Sequence, residues 1–260
     1  MTTLAGARVL VPRGGAWGER VAGELDRRGA EPVVAPLIQT VPPRDTAARD
    51  STFAALADGR YDWLFVTSAA SVEQLGDYLA QHGRALPEAL NIAVVGQATA
   101  RAVAELGARV DFVPVGRSSA HAMIVQWCAT HAPASTERCL VVRSDLAAAV
   151  VSDELELRGF AVDVCIGYRT VGVDLAPAVA ADLAAGRFQV VLLTSLSVGR
   201  ELRRQVGTLP ASTLVASIGP GTTRDAERLG FTVGHTARTQ SIDALIAELD
   251  SSPRLLEVTP

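Results

Sequence analysis

"VVGQATARAVAELG" at 94–107 and "SIGPGTTRDAERLG" at 217–230 are two copies of one pattern, 123 residues apart. Gly96, Thr99, Arg101, Leu106 and Gly107 recur as Gly219, Thr222, Arg224, Leu229 and Gly230. Each copy runs from a short apolar stretch through a glycine turn into a segment of helical periodicity closed by glycine, which reads as strand, turn and helix. A threonine stands at the same place in both turns.

The repetition extends outward from there. "DWLFVTSAAS" matches "FQVVLLTSLS", with Thr67-Ser68 against Thr194-Ser195 at a shift of 127 residues. The first 42 residues match a middle segment at a constant shift of 130, so that Arg13, Glu24, Leu25, Arg28, Gly29, Val34, Thr40 and Val41 recur as Arg143, Glu154, Leu155, Arg158, Gly159, Val164, Thr170 and Val171. The chain therefore reads as a tandem duplication in four segments, 1–42, 50–125, 138–171 and 178–248. Short apolar strands alternating with helices imply βαβ units and parallel sheets covered on both faces. Each half suits a flavodoxin-like α/β sheet. The domains are either sequential halves or exchanged, with the outer segments together and the inner ones together. Exchange needs two crossing segments, and "VAPLIQTVPP" (34–43) and "VCIGYRTV" (164–171) are extended and match each other. Paired, they would form a two-stranded ladder, and Pro36, Pro42 and Pro43 suit its edge. "SSPRLLEVTP" at 251–260 reads as a loose tail.

Composition removes many chemistries. All 24 basic residues are arginine, which excludes a Schiff-base lysine, a pyridoxal anchor and a P-loop lysine. A net charge of −4 argues against a nucleic-acid binder. Cys128, Cys139 and Cys165 are far apart and form no CxxC, as in a reduced cytoplasmic chain. The histidines His82, His121, His131 and His235 have no metal-binding spacing, so no metal is expected. No apolar run reaches membrane-spanning length, and no signal peptide is apparent. "GPGTT" lacks the third glycine of a dinucleotide fingerprint.

In open α/β sheets ligands bind where strand carboxyl ends meet helix amino ends. Four such turns carry hydroxyls: Thr67-Ser68 with Ser71, Gly96-Gln97-Ala98-Thr99, Thr194-Ser195 with Ser197, and Gly219-Pro220-Gly221-Thr222. Helix N-termini with unbonded N–H groups attract carboxylates and phosphates. Capping alone would account for any one hydroxyl, whereas the duplicated set suits a ligand with several acidic groups. Nothing forms a Ser-His-Asp arrangement, and the acids of "DELE" (153–156) fit a solvated helix face. Ser118 and Ser119 read as a helix start.

"LFVTSAASVEQL", "AVVGQATARAVAELG", "DFVP" followed by "SSA", "GYRT", "VVLLTSLSV" and "SIGPGTTRDAERLG", in this order and duplicated layout, resemble the uroporphyrinogen-III synthase family over nearly the whole chain. The resemblance implies two flavodoxin-like parallel-sheet domains joined by a two-stranded ladder that the chain crosses twice. It selects the exchanged arrangement: residues 1–36 with 172–260 as domain 1, 43–164 as domain 2, and 37–42 with 165–171 as linker strands. It implies cyclisation of hydroxymethylbilane, a linear tetrapyrrole octacarboxylate, to uroporphyrinogen III with inversion of ring D and loss of water through a spiro intermediate. No cofactor or metal is implied. The family tyrosine falls on Tyr168, as acid or hydrogen-bond donor to the departing hydroxyl. Substrate binding falls on Arg13, Thr67, Ser68, Ser71, Gly96, Gln97, Ala98, Thr99, Thr194, Ser195, Ser197, Gly219, Gly221 and Thr222, with Arg143 a weaker candidate. "VPRGGAWG" departs from the family's usual threonine before this arginine, which leaves the placement of Arg13 open. The expected setting is a cytoplasmic monomer with no nucleic-acid or membrane partner, taking substrate by handover from hydroxymethylbilane synthase. The alternative is a non-catalytic module of the same fold that senses a tetrapyrrole or another anion.

Overall fold

A computed structural model describes residues 3–116, 118–133 and 137–251; the expected tail lies almost wholly outside them. The elements in chain order are β1 (Arg8–Val11), α1 (Gly15–Asp26), β2 (Glu31–Val34), β3 (Ile38–Val41), α2 (Thr46–Ala57), β4 (Trp63–Val66), α3 (Ala69–Gln81), β5 (Asn91–Val94), α4 (Gln97–Glu105), α5 (Ala120–Cys128), β6 (Arg138–Ser144), α6 (Val150–Leu157), β7 (Ala161–Gly172), α7 (Pro177–Ala184), β8 (Val190–Leu193), α8 (Leu196–Val206), β9 (Leu214–Ser217), α9 (Pro220–Arg228), β10 (Val233–Thr236) and α10 (Ile242–Asp250). They fall into two units that divide between Gln39 and Thr40 and again between Thr170 and Val171. The first unit is discontinuous and the second is continuous.

The first unit's sheet has the order β10-β9-β8-β1-β2 with every pairing parallel. Renumbered within the unit this is 2-1-3-4-5, the flavodoxin-like order. The central strands β8 and β9 are buried throughout because helices cover both faces, so alternate residues feed different cores. Val9, Val11, Val190 and Leu192 pack with α1 and α10 through Val21, Leu25, Leu245 and Ile246. Leu10, Val191 and Leu193 pack on the other side with Leu183 of α7, Val198 and Leu202 of α8 and Ala226 of α9.

The second sheet runs β3-β7-β6-β4-β5. Its β7-β6-β4-β5 core is parallel, and an isolated parallel bridge between Ala93 and Phe112 adds a fifth position. Matching β6, β7, β4 and β5 to β1, β2, β8 and β9 restores the same order, so the second unit is a circular permutation of the first. That is what a tandem duplication with exchanged segments produces. Leu64, Val66, Ile92, Val94, Leu140 and Val142 face α2, α3 and α4. Trp63, Phe65, Cys139 and Val141 face α5 and α6, where Trp127 lies edge-on to both Trp63 and Phe65.

Three elements have no clear sequence signal. α2 ("TAARDSTFAALA") and α7 ("PAVAADLA") are alanine-rich, with few large apolar residues to mark a buried stripe. β10 ("VGHT") is half-buried at a sheet edge and mixes polar residues with valine.

Candidate functional site

In the second unit β4 ends at Val66 and Thr67 leads into the turn. Ser68 is the N-cap of α3: its backbone is extended and its Oγ accepts the Ser71 N–H at 3.2 Å. The same oxygen lies 3.0 Å from the Tyr168 hydroxyl and 3.0 Å from the Ser71 hydroxyl. Tyr168 is delivered by β7. A register shift between Arg143 and Ser144 of β6 sets Tyr168 against Ser144. Gly167 allows the close approach, because a Cβ there would stand 2.9 Å from Val142 Cγ1. Tyr168 is buried and Ser71 has no exposed surface. The sequence reading makes Ser71 a ligand contact, but the helix turns its side chain inward beneath the turn.

Thr67 lines a cavity of about 110 Å³ together with Arg143 and the first turn of α6. Arg143 donates to the Ala147 carbonyl, while its buried Nε has no partner among the described residues. The N-cap of α6 is Ala149, which supplies no side-chain acceptor. After β5 the N-cap of α4 is Gly96, also without a side-chain cap. The turn is close-packed there: a Cβ on Gly96 would meet Ser118 Oγ at 2.8 Å and Ser118 Cβ at 3.1 Å, so Ser118 would have to shift. Gln97 and Ala98 are exposed on the first turn, and Thr99 is buried one residue on. Thr99 is therefore not an N-cap; the first-turn N–H groups remain available to a ligand.

In the first unit Arg13 follows β1 and its guanidinium lies 4.9 Å above the Trp17 ring. It forms no ion pair among the described residues, and α1 begins beside it at Gly14 without a side-chain cap. The unusual "RGGAWG" thus places the arginine by stacking on Trp17. After β8, Thr194 has a buried Oγ1 with no partner among the described residues. Ser195 caps α8 through the Val198 N–H at 3.3 Å, and Ser197 is half-buried. After β9 the N-cap of α9 is Gly219, again uncapped, with Gly221 exposed and Thr222 half-buried. A hydroxyl chain that sequence reasoning misses fixes this turn: Ser217 to Thr223 at 2.5 Å and Thr223 to Thr236 at 2.7 Å. The doubled threonine Thr222-Thr223 is its only trace in the sequence.

Another cavity, of about 510 Å³, lies elsewhere in the second unit, between the start of α2 and β7, with Arg44, Arg49, Arg169, Val164 and Ile166 among its walls. None of the predicted site residues lines it. Among the described residues no three His, Cys, Asp or Glu side chains come together in a metal-binding group, and no helix is long and apolar enough to cross a membrane.

Helix N-termini without side-chain caps carry a partial positive charge and aligned donors. Set at the carboxyl ends of parallel strands, with hydroxyls beside them and an arginine that has no ion pair among the described residues, they belong to a protein class of two flavodoxin-like α/β units. Comparison with known proteins narrows this. The family profile described as uroporphyrinogen-III synthase HemD matches residues 19–247. The chain is 33% identical to the uroporphyrinogen-III synthase of Synechococcus elongatus over 112 residues, 43% of this chain and 42% of that protein. It is 32% identical to the porphyrin biosynthesis protein HemD of Ruminiclostridium josui over 114 residues, 43% of this chain and 22% of that protein. The alignments thus span less than half the length of these curated relatives. In fold it resembles the uroporphyrinogen III synthase of the extreme thermophile Thermus thermophilus, at a TM-score of 0.64 and 18% identity over 98% of this chain and all of that one. It also resembles the uroporphyrinogen-III synthetase of Helicobacter pylori, at a TM-score of 0.59 and 13% identity over 95% of this chain and 99% of that one. The chain belongs to the uroporphyrinogen-III synthase family.

Proposed function

We propose that this chain cyclises hydroxymethylbilane to uroporphyrinogen III, inverting ring D and releasing water. The observation that carries this reading is the Tyr168 hydroxyl, held 3.0 Å from Ser68 at the carboxyl end of the second sheet. The Tyr168 phenol gives its proton to the departing hydroxyl of the substrate. The C–O bond breaks, water leaves, and a cationic methylene-pyrrole remains. An α-carbon of ring D attacks it, giving a spiro intermediate that reopens and recloses with ring D inverted. The proton finally lost from the pyrrole system returns to the phenolate. Pyrrole α-carbons are already nucleophilic, so the protein's chief contribution is to hold the reacting carbons in place.

Eight carboxylates need many donors. We assign this role to the uncapped first turns of α1, α4 and α9, with Arg13, Thr67, Thr194, Ser195, Ser197, Gly96, Gln97, Ala98, Gly219, Gly221 and Thr222 around them. Backbone donors cannot be removed by side-chain substitution, so single losses such as Thr99→Ala should be mild. The test is a coupled assay with porphobilinogen and its deaminase, scoring type III against type I isomer after oxidation. Type III product supports the reading and type I alone overturns it. Tyr168→Phe should lower kcat about 100-fold, the scale of general acid catalysis, and far more than Thr99→Ala does.

A further inference from the structure

Tyr168 sits on a chain of three hydroxyls whose direction is set at its buried end. Ser71 is fully buried, and its side chain has one partner among the described residues, the Ser68 oxygen at 3.0 Å. A buried hydroxyl proton without an acceptor is costly, so Ser71 donates to Ser68. Ser68 also accepts the Ser71 N–H at 3.2 Å, which occupies both of its lone pairs. Its own proton then has the Tyr168 oxygen, at 3.0 Å, as its acceptor. The phenol proton is thereby left unspent inside the protein and free for an acceptor on the ligand.

We infer that Ser68 and Ser71 are positioning residues for Tyr168 and make no contact with substrate. This rests on the role given to Tyr168 above. Capping alone does not call for the arrangement, and the duplication shows why. In the first unit Ser195 caps α8 in the same way, through the Val198 N–H. The position matching Tyr168 there is Ile38 and the one matching Ser71 is Val198, both apolar. The same cap thus works without phenol or third hydroxyl, and the second unit carries both in addition. When the phenol gives up its proton, the Ser68 O–H faces the resulting negative oxygen, a charge-assisted hydrogen bond stronger than the neutral one it replaces. The benefit appears on the path to the transition state and not on binding.

The test uses hydroxymethylbilane generated in situ, with kcat and KM measured separately. Ser68→Ala should lower kcat about tenfold, the loss of about 1.4 kcal/mol, with KM unchanged. Ser68→Thr, which keeps the hydroxyl, should restore most of that rate, and Ser71→Ala should fall between. Ser119→Ala is the control for capping alone, since Ser119 caps α5 through the Ala122 N–H at 3.1 Å away from the tyrosine. It should lower Tm as Ser68→Ala does and leave kcat unchanged. In a Tyr168→Phe background, Ser68→Ala should cost nothing further. A Ser68→Ala variant that keeps wild-type kcat, raises KM alone, or multiplies the Tyr168→Phe loss overturns the relay while Tyr168 keeps its role. Tyr168→Phe at wild-type speed instead overturns the function assigned to the tyrosine, and the relay with it.

Discussion

Two glycines of α1 offer a direct measurement of how tightly the first unit's arginine turn is wedged. Gly23 has nothing within 4 Å of where a Cβ would stand, whereas at Gly18 a Cβ would lie 2.3 Å from the Arg13 carbonyl oxygen and 3.1 Å from Val34 Cγ1. Both are interior helix positions, so Gly→Ala gains about 1 kcal/mol of helix propensity at each. At Gly18 the carbonyl must retreat by about 1 Å to reach ordinary contact. It has little room: Gly14, next in the turn, already faces Pro36 Cγ at 2.9 Å from its own Cβ position, and the Pro12 carbonyl is held by the Leu37 N–H at 3.0 Å. Overpacking of this kind costs about 1–3 kcal/mol, and a backbone obstacle puts it at the upper end. Gly23→Ala should therefore stabilise by about 1 kcal/mol and Gly18→Ala destabilise by about 1–2, so that the two variants of one helix differ by about 2–3 kcal/mol. Urea unfolding of both, followed by far-ultraviolet circular dichroism, reads the difference. Because Arg13 moves with its carbonyl, Gly18→Ala should also raise KM. Equal stability of the two variants would show that the turn yields freely and that the wedge argument is wrong.

Alkaline pH tests the buried thiols and one tyrosine. Burial pushes Cys139 up to about 12 and Cys165 up to about 11, and burial followed by the hydrogen bond to Asp163 raises Tyr61 to about 12. All three are raised above their unfolded values, so their contribution is complete below about pH 9 and is lost as pH climbs through 11 to 12. Unfolding free energy should fall over that window, and the thiols should resist alkylation below it; a flat profile to pH 12 would contradict the burial of these groups. Phe53 has no exposed surface and meets Tyr78 edge-on at 5.6 Å. Phe53→Ala should cost about 3–5 kcal/mol by calorimetry or denaturant titration, and a loss under about 1 kcal/mol would place α2 outside the core.

By itself the sequence determined the parallel α/β class, the doubling, and the turns that carry hydroxyls. These follow from local physics: apolar runs too short for helices, helical periodicity after each glycine, and repeated residues at constant shifts. Gly96 and Gly219 were legible as turn residues because each stands between a short apolar run and a segment of helical periodicity, at the same place in both copies. The exchange of segments between the two units came to the reading only through resemblance, since periodicity says nothing about which strand pairs with which. Only the tertiary structure decided that pairing, because β1 meets β8 across most of the chain and β6 meets β4 across more than seventy residues. It also decided the fate of individual hydroxyls. Ser68 and Ser195 look alike in sequence and cap alike, yet one meets a tyrosine one hundred residues away and the other does not. A hydroxyl's partner depends on what the far strand brings beside it, and that is settled by register, bulge and close approach at Gly167, none of which leaves a local mark.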